Sequence, residues 1–330
     1  MAPSVLKIGD TEIRPGEQKD INLPVAKLYT NNWTHMPISV IRGKVDGPHL
    51  FVCAAQHGDE INGVEVIRRL LKQPTLKRLQ GTLIAVPVVN VFGFIHSSRY
   101  LPDRRDLNRS YPGSPRGSLA SRLAYLFLKE VGAHSTHGID IHTAAQHRFN
   151  LPQIRSNLRD PVTLDMARAF GAPVVVHSMR RNNSLRETLA ERGVPIIVYE
   201  AGEALRFNEP AIRLGVQGII RVMRHLGMLP KSRSKIFEPV QTDKTRWVRA
   251  KQSGLLHIKV RAGDRVKRHQ TIATITDPMG NSVVDLKSPY DGMIIGHTNI
   301  PLVHAGDAAL HVAKARITQA VQDELDQLEE

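Results

Sequence analysis

The stretch Ala54-Ala55-Gln56-His57-Gly58-Asp59-Glu60 decides how this chain is read. An apolar β-type run, Leu50 to Ala55, breaks into a histidine, a glycine and two carboxylates, and apolar residues at helical spacing follow from Ile61 to Leu71. His57 and Glu60 therefore stand at i and i+3 where a strand turns into a helix, with their side chains adjacent. Gly58 allows a tight backbone turn between them. An imidazole and a carboxylate so placed read as two ligands of a zinc site. The competing reading is a polar strand-to-helix turn in which Asp59 or Glu60 complements the helix N-terminus.

The sequence on either side supplies a scaffold for such a site. Residues 1–46 alternate in short β-like pieces broken by Pro15-Gly16, Asn31-Asn32 and Asp46-Gly47, as in a hairpin or edge strands ahead of a main sheet. From residue 47 to 230 strand and helix patterns alternate, which predicts an α/β domain: strands at 50–55, 82–89, 138–142, 173–177 and 194–199, helices at 60–72, 119–131, 185–192 and 210–225. Candidate chemical residues fall near strand ends, where open α/β sheets bind ligands. A polar, Pro-containing stretch at 229–233 reads as a linker. Residues 231–330 then change character, with short β-branched runs cut by Gly, Asp and Pro, and Val260-Arg261-Ala262-Gly263-Asp264 returns as Val303-His304-Ala305-Gly306-Asp307. This repeat, with Ser288-Pro289-Tyr290-Asp291-Gly292, resembles the barrel-sandwich domains that carry lipoate or biotin. The expected hairpin tip, Asp277 to Asn281, contains no lysine, so the segment is read as a structural cap. The last ten residues hold five acidic and no basic side chains, as at the solvated end of a helix.

Composition narrows the function classes. The 330 residues are 41% hydrophobic and 23% charged, ordinary for a globular protein. No apolar run approaches a membrane span and no signal segment is recognisable, so a cytoplasmic location is expected. Cys53 is the only cysteine, which excludes an intrachain disulfide and any cysteine metal cluster; its place in the strand before His57 predicts a buried thiol. A net charge of +14 raises a nucleic-acid partner, but the basic residues are dispersed and only 5% of residues are aromatic, so that partner is disfavoured. Oligomeric state is open, and a homo-oligomer is compatible with the sequence.

Three further segments extend the metal reading. Ile139-Asp140-Ile141-His142-Thr143 ends a short apolar strand in a histidine that completes a His57, Glu60, His142 set; His134, His137, His147 and His177 are less well placed. From His96 through Arg116 there are five arginines and two aspartates in a loop-rich region, where a guanidinium can grip a carboxylate through two parallel hydrogen bonds. Arg109, flanked by Asn108 and Asp106, stands out, while Arg104, Arg105 and Arg116 read as surface charges. The strand at 194–199 terminates in Glu200-Ala201-Gly202-Glu203, and Glu200, or alternatively Glu203, is a candidate general base.

Together His57-Gly58-Asp59-Glu60, His142, Asp106-Leu107-Asn108-Arg109 and Glu200-Ala201-Gly202 resemble the succinylglutamate desuccinylase and aspartoacylase family, relatives of the zinc carboxypeptidases, over residues 48–228. The resemblance implies a zinc-carboxypeptidase-like mixed sheet flanked by helices and followed by a small all-β, barrel-sandwich-like module. It implies one zinc ion on His57, Glu60 and His142, Glu200 as catalytic carboxylate, Asn108 and Arg109 on a substrate carboxylate, and Asp106 behind His57. Arg99 would polarise the scissile carbonyl, with Arg104 as its alternative because Arg99 lies farther from Asp106 than the pattern expects. The implied activity is zinc-dependent hydrolysis of a small N-acyl amino acid. The rivals are a carboxypeptidase-like enzyme on a peptide or modified protein end, and a non-catalytic polyanion-binding protein.

Overall fold

The continuous apolar runs form the middle of one mixed sheet in the computed structural model, which describes residues 5–178, 182–232 and 238–315. The expected acidic helical end lies outside the described residues. A small antiparallel pair, β1 (Leu6–Ile8) and β2 (Thr11–Ile13), precedes a long hairpin of β3 (Gln18–Lys27) and β4 (Trp33–Arg42). The α/β part follows as β5 (His49–Ala54), α1 (Asn62–Leu70), β6 (Thr82–Val86), α2 (Val91–Ile95), α3 (Leu119–Glu130), β7 (His137–Ala144), β8 (Arg148–Ser156), α4 (Pro161–Phe170), β9 (Val174–His177), α5 (Leu185–Glu191), β10 (Ile196–Glu203) and α6 (Glu209–His225).

Strands β5, β6, β7 and β10 run parallel, with β4 antiparallel to β6 and β8 antiparallel to β10. Alternation along β5 divides the core. Leu50, Val52 and Ala54 enter a cluster with α1, α4 and α6, while Phe51, Cys53 and Ala55 pack with α3 and α5. On α1 the buried Val66, Ile67 and Leu70 recur at helical spacing, each stabilising by about 1.5–3 kcal/mol. Helix starts match local chemistry: Asn90, Ser118, Ser184 and Asn208 accept from backbone N–H groups of α2, α3, α5 and α6, and Asp160 caps α4 ahead of Pro161.

Strand β8 has no counterpart among the predicted elements, and β10 extends past Tyr199 to Glu203, so Glu200 sits within a strand. β8 joins two parts of the molecule. Its end at Gln153 to Ser156 pairs with β9, and its start at Arg148 to Asn150 pairs with a strand from the β-rich segment. That segment comprises β11 (Val240–Thr242), β12 (Thr245–Arg249), β13 (Gly254–Ile258), β14 (Arg265–Val266), β15 (Thr271–Thr276), β16 (Val283–Lys287), β17 (Gly292–Thr298), β18 (Leu302–Val303) and β19 (Ala308–Lys314). β16, β15, β13 and β18 form a separate antiparallel sheet, whereas β12, β19 and β17 continue the large sheet beyond β8. The internal repeat is structural. Asp264 accepts from Arg261 N at 2.7 Å and Asp307 from His304 N at 2.8 Å, each closing the same turn before a strand.

The turn after β5 is fixed by close approach of two backbones. A Cβ on Gly58 would lie 1.8 Å from the carbonyl carbon of Gly93 in α2. Glycine is thus required by contact, since Gly58 does not adopt a positive φ. Gly58→Ala should therefore cost about 1–3 kcal/mol in urea unfolding; a change within about 0.5 kcal/mol, the ordinary range for a surface substitution, would contradict the contact.

Candidate active site

His57, Glu60 and His142 converge at the C-terminal ends of β5 and β7, although His142 is 82 positions from Glu60. Their donor atoms lie within 4.8 Å of one another, and all three residues are buried. His57 Nδ1 is 2.7 Å from Glu60 Oε1, and His142 Nδ1 is 2.8 Å from Glu60 Oε2. Each imidazole is held on its other side by a carboxylate: Asp106 Oδ1 lies 3.1 Å from His57 Nε2 and Asp140 Oδ2 lies 2.8 Å from His142 Nε2. This arrangement orients the rings and aims both Nδ1 atoms at one point. Two imidazole nitrogens and a carboxylate, each braced from behind, form a donor set suited to a divalent ion. His134, His137, His147 and His177 take no part in it.

The electrostatics favour positive charge at that point. Burial opposes protonation of His57, yet Glu60 and Asp106 outweigh it and raise its pKa. At His142, burial is again outweighed, by Asp140 and Glu60, and the pKa rises well above the ordinary histidine value. Glu60 is driven the other way. Burial would lift it, but the two imidazoles hold it well below the usual carboxylate range. Asp106, despite burial, is likewise held low by His57 and Arg99.

Asp140 was not among the sequence candidates. The signal was present, because period-two alternation places residues 140 and 142 on one face of a strand. Cys53 is fully buried as expected, and its thiol donates to Asp140 Oδ1 over 3.3 Å. Gln56 in turn accepts from Tyr111 Oη at 2.9 Å, so buried polar groups support the loop that carries His57.

The donor set opens into a cavity of about 270 Å³ whose lining includes Arg99, Asn108, Arg109, Arg148, Arg155, Arg186, Glu200 and Trp247. Arg99 donates to Glu60 Oε1 at 3.2 Å and Asp106 Oδ2 at 3.0 Å, while Arg104 is exposed and outside the lining. Asp106 also accepts from Asn108 N at 2.8 Å, tying the Asp106 to Arg109 turn to the His57 side of the site. The Asn108 side-chain carbonyl accepts from Leu185 N at 3.0 Å, so what it can offer a ligand is its NH₂ group. Arg109 donates to the Asn108 carbonyl oxygen.

Glu200 is the register partner of His142 across the parallel β10–β7 pair, and both line the cavity. Asn150 donates to Glu200 Oε2 at 2.8 Å, and Arg155 Nη1 lies 3.4 Å from Oε1. Glu203 is placed differently, accepting from His147 N at 2.9 Å and Asn299 Nδ2 at 2.6 Å, outside the lining. Sequence reasoning did not single out Arg148, Arg155, Arg186 or Trp247. They reach the cavity from β8, α5 and β12, and only the tertiary pairing of those elements brings them together.

Comparison with known proteins agrees with this architecture. Residues 46–226 match the Succinylglutamate desuccinylase/Aspartoacylase catalytic domain. The chain is 26% identical over 293 residues, covering 84% of it and 85% of the relative, to the N-alpha-acetyl-L-2,4-diaminobutyric acid deacetylase of Halomonas elongata. A succinylglutamate desuccinylase/aspartoacylase structure from Rhodobacter sphaeroides is 26% identical with a TM-score of 0.80, covering 92% of this chain and 97% of the other. The fold also matches the product-bound Ectoine utilization protein EutE (DoeB) from Ruegeria pomeroyi, at 22% identity and a TM-score of 0.83 over 95% and 99% of the two chains. With the catalytic-domain match spanning more than half of its length, the chain belongs to the succinylglutamate desuccinylase/aspartoacylase family.

Proposed function

We propose that this protein is a zinc-dependent amidohydrolase that removes the acyl group from a small N-acyl amino acid. The observation that carries the reading is the His57, Glu60, His142 group sharing one cavity with Glu200 and several arginines. Membership of a deacylase family and the likeness to the H. elongata deacetylase support it. The cavity, at about 270 Å³, lies at the small end of ligand pockets, which favours an N-acyl amino acid over a peptide end. The nitrogen and oxygen donor set makes zinc the preferred ion, on His57, Glu60 and His142.

When bound, zinc supplies a Lewis acid that brings the pKa of water to about 7 and polarises the scissile carbonyl. Glu200, steadied by Asn150 and Arg155, takes a proton from the attacking water and returns it to the departing amine nitrogen. Arg99 places fixed positive charge beside the carbonyl oxygen as that atom becomes anionic. Arg109 and the Asn108 amide hold the substrate carboxylate, so that the amide is presented to Glu200 in a fixed orientation. The C–N bond is broken, and a carboxylic acid and a free amino acid result.

Three measurements test this assignment. Elemental analysis should find about one zinc per chain, and Asp140→Asn should weaken zinc retention against a chelator by about 10- to 100-fold; undiminished retention would remove Asp140 as the support of His142. Glu200→Gln should keep its zinc while kcat falls by about 10² to 10⁴, and near-normal turnover would rule Glu200 out as base. Arg109→Ala should damage hydrolysis of N-acyl amino acids far more than of the matching α-carboxamides. Equal damage to both would sink its role in carboxylate binding.

A further inference from the structure

The turn that carries Asn108 and Arg109 reaches the two imidazoles by two routes, and the proposed chemistry uses only one of them. At its start, Asp106 holds His57 Nε2 directly. At its end, the Tyr111 hydroxyl donates to Gln56 Oε1 at 2.9 Å, and Gln56 Nε2 donates to Cys53 Sγ at 3.9 Å, a separation that suits a large sulfur acceptor. The Cys53 thiol donates to Asp140 Oδ1 at 3.3 Å, and Asp140 accepts from His142 Nε2 through its other oxygen at 2.8 Å. Cys53 and Asp140 are register partners across the β5–β7 ladder, so strand pairing fixes the link between them. Tyr111 is anchored as firmly, fully buried and edge-on to Phe127 of α3 with 6.4 Å between ring centroids.

Every donor in this chain of bonds points the same way, from the phenol towards the carboxylate. Burial raises the pKa of both the Tyr111 phenol and the Cys53 thiol, with Asp140 adding to the effect at Cys53, so each keeps the single proton it donates. Asp140 therefore accepts on both oxygens. With Oδ1 held by the thiol, Oδ2 takes the Nε2 proton of His142 and the ring turns Nδ1 towards Glu60. Tyr111, Gln56, Cys53 and Asp140 are all buried, so deleting one member leaves its neighbour without solvent to replace it.

Building on the zinc reading above, we infer that Tyr111, Gln56 and Cys53 are positioning residues for His142 that act on it through Asp140. One segment, Asp106 to Tyr111, then orients both imidazoles from behind, while its middle residues Asn108 and Arg109 line the cavity. That segment is itself braced, because Arg109 N and Ser110 Oγ both donate to the Asp106 carbonyl oxygen, at 3.1 and 3.0 Å. An apolar side chain at position 53 would fill the strand interior as a thiol does. What cysteine adds there is a donor aimed at Asp140.

Zinc release from the loaded protein to a coloured chelator, read beside urea unfolding, tests the relay. Cys53→Ala and Tyr111→Phe should each speed release by about 3- to 10-fold, less than Asp140→Asn because both act from farther out. Cys53→Ser, which keeps a donor, should stay within about twofold of the unmutated chain. A packing role alone predicts otherwise, since a buried serine fills apolar space no better than alanine and adds a polar group. In an Asp140→Asn background the Cys53 and Tyr111 changes should add nothing further. Unchanged release in Cys53→Ala, serine as fast as alanine, or full additivity with Asp140→Asn would overturn the inference. If Tyr111→Phe fails to fold, the Cys53 comparison and its cycle with Asp140 decide. Zinc that is held but indifferent to these changes removes the relay and leaves the hydrolase reading standing, whereas an unmutated chain that takes up no zinc removes both.

Discussion

A carboxylate 2% exposed must be answered by donors, and Glu60 is answered by four. They are the two imidazole Nδ1 atoms, the Arg99 guanidinium and the backbone N–H of Thr143. These come from the loop after β5, the end of β7 and the segment after α2, so one buried group ties three parts of the chain together. Removing any donor would leave charge in a low-dielectric interior, where an isolated ion is costly. The same requirement explains the outer carboxylates. Asp106 and Asp140 hold the far nitrogens, so each ring presents its inner nitrogen with one orientation and cation-seeking character. Protonated histidines satisfy the carboxylates in one state, and a divalent ion displacing those protons would satisfy them in another.

The large sheet extends this local constraint across the molecule. β8 lies against β10 on one edge, and on the other it is divided between β9 and β17. Hydrogen bonds therefore run without interruption from the strand bearing His142, through the strand bearing Glu200, to the strand bearing Trp247. The β-rich segment reaches the cavity through this continuity, because its relation to the strands carrying His142 and Glu200 is set by ladder register.

Much of this was legible in the sequence, and the exceptions have physical causes. His57 and Glu60 could be read because a strand-to-helix transition places i and i+3 residues together, and His142 because it terminates an apolar strand. β8 escaped because Arg148 to Ser156 carries arginines at both ends and Pro152 inside, which argues against an interior strand. In the fold, Pro152 falls between the pairs Asn150–Gly202 and Gln153–Glu200, where the register shifts, and between the stretches that pair with β17 and β9. A bulge is where a sheet tolerates a residue without an N–H. Arg148, Arg186 and Trp247 could not be read as one group, since nothing local distinguishes them from other surface arginines and a half-buried tryptophan.

The placement of these groups couples the base of the cavity to its walls. His142 and Glu200 sit opposite each other in a parallel ladder, so their separation follows from strand spacing and is shielded from changes in loops. Asn108 and Arg109 lie in a short turn, Arg186 on α5, Arg148 at the first residue of β8, and Trp247 on a strand from the β-rich segment. Asp106, in the turn that carries Asn108 and Arg109, holds His57, and Asn150 and Arg155 on β8 hold Glu200, so the elements that line the cavity also fix the geometry of the groups at its base.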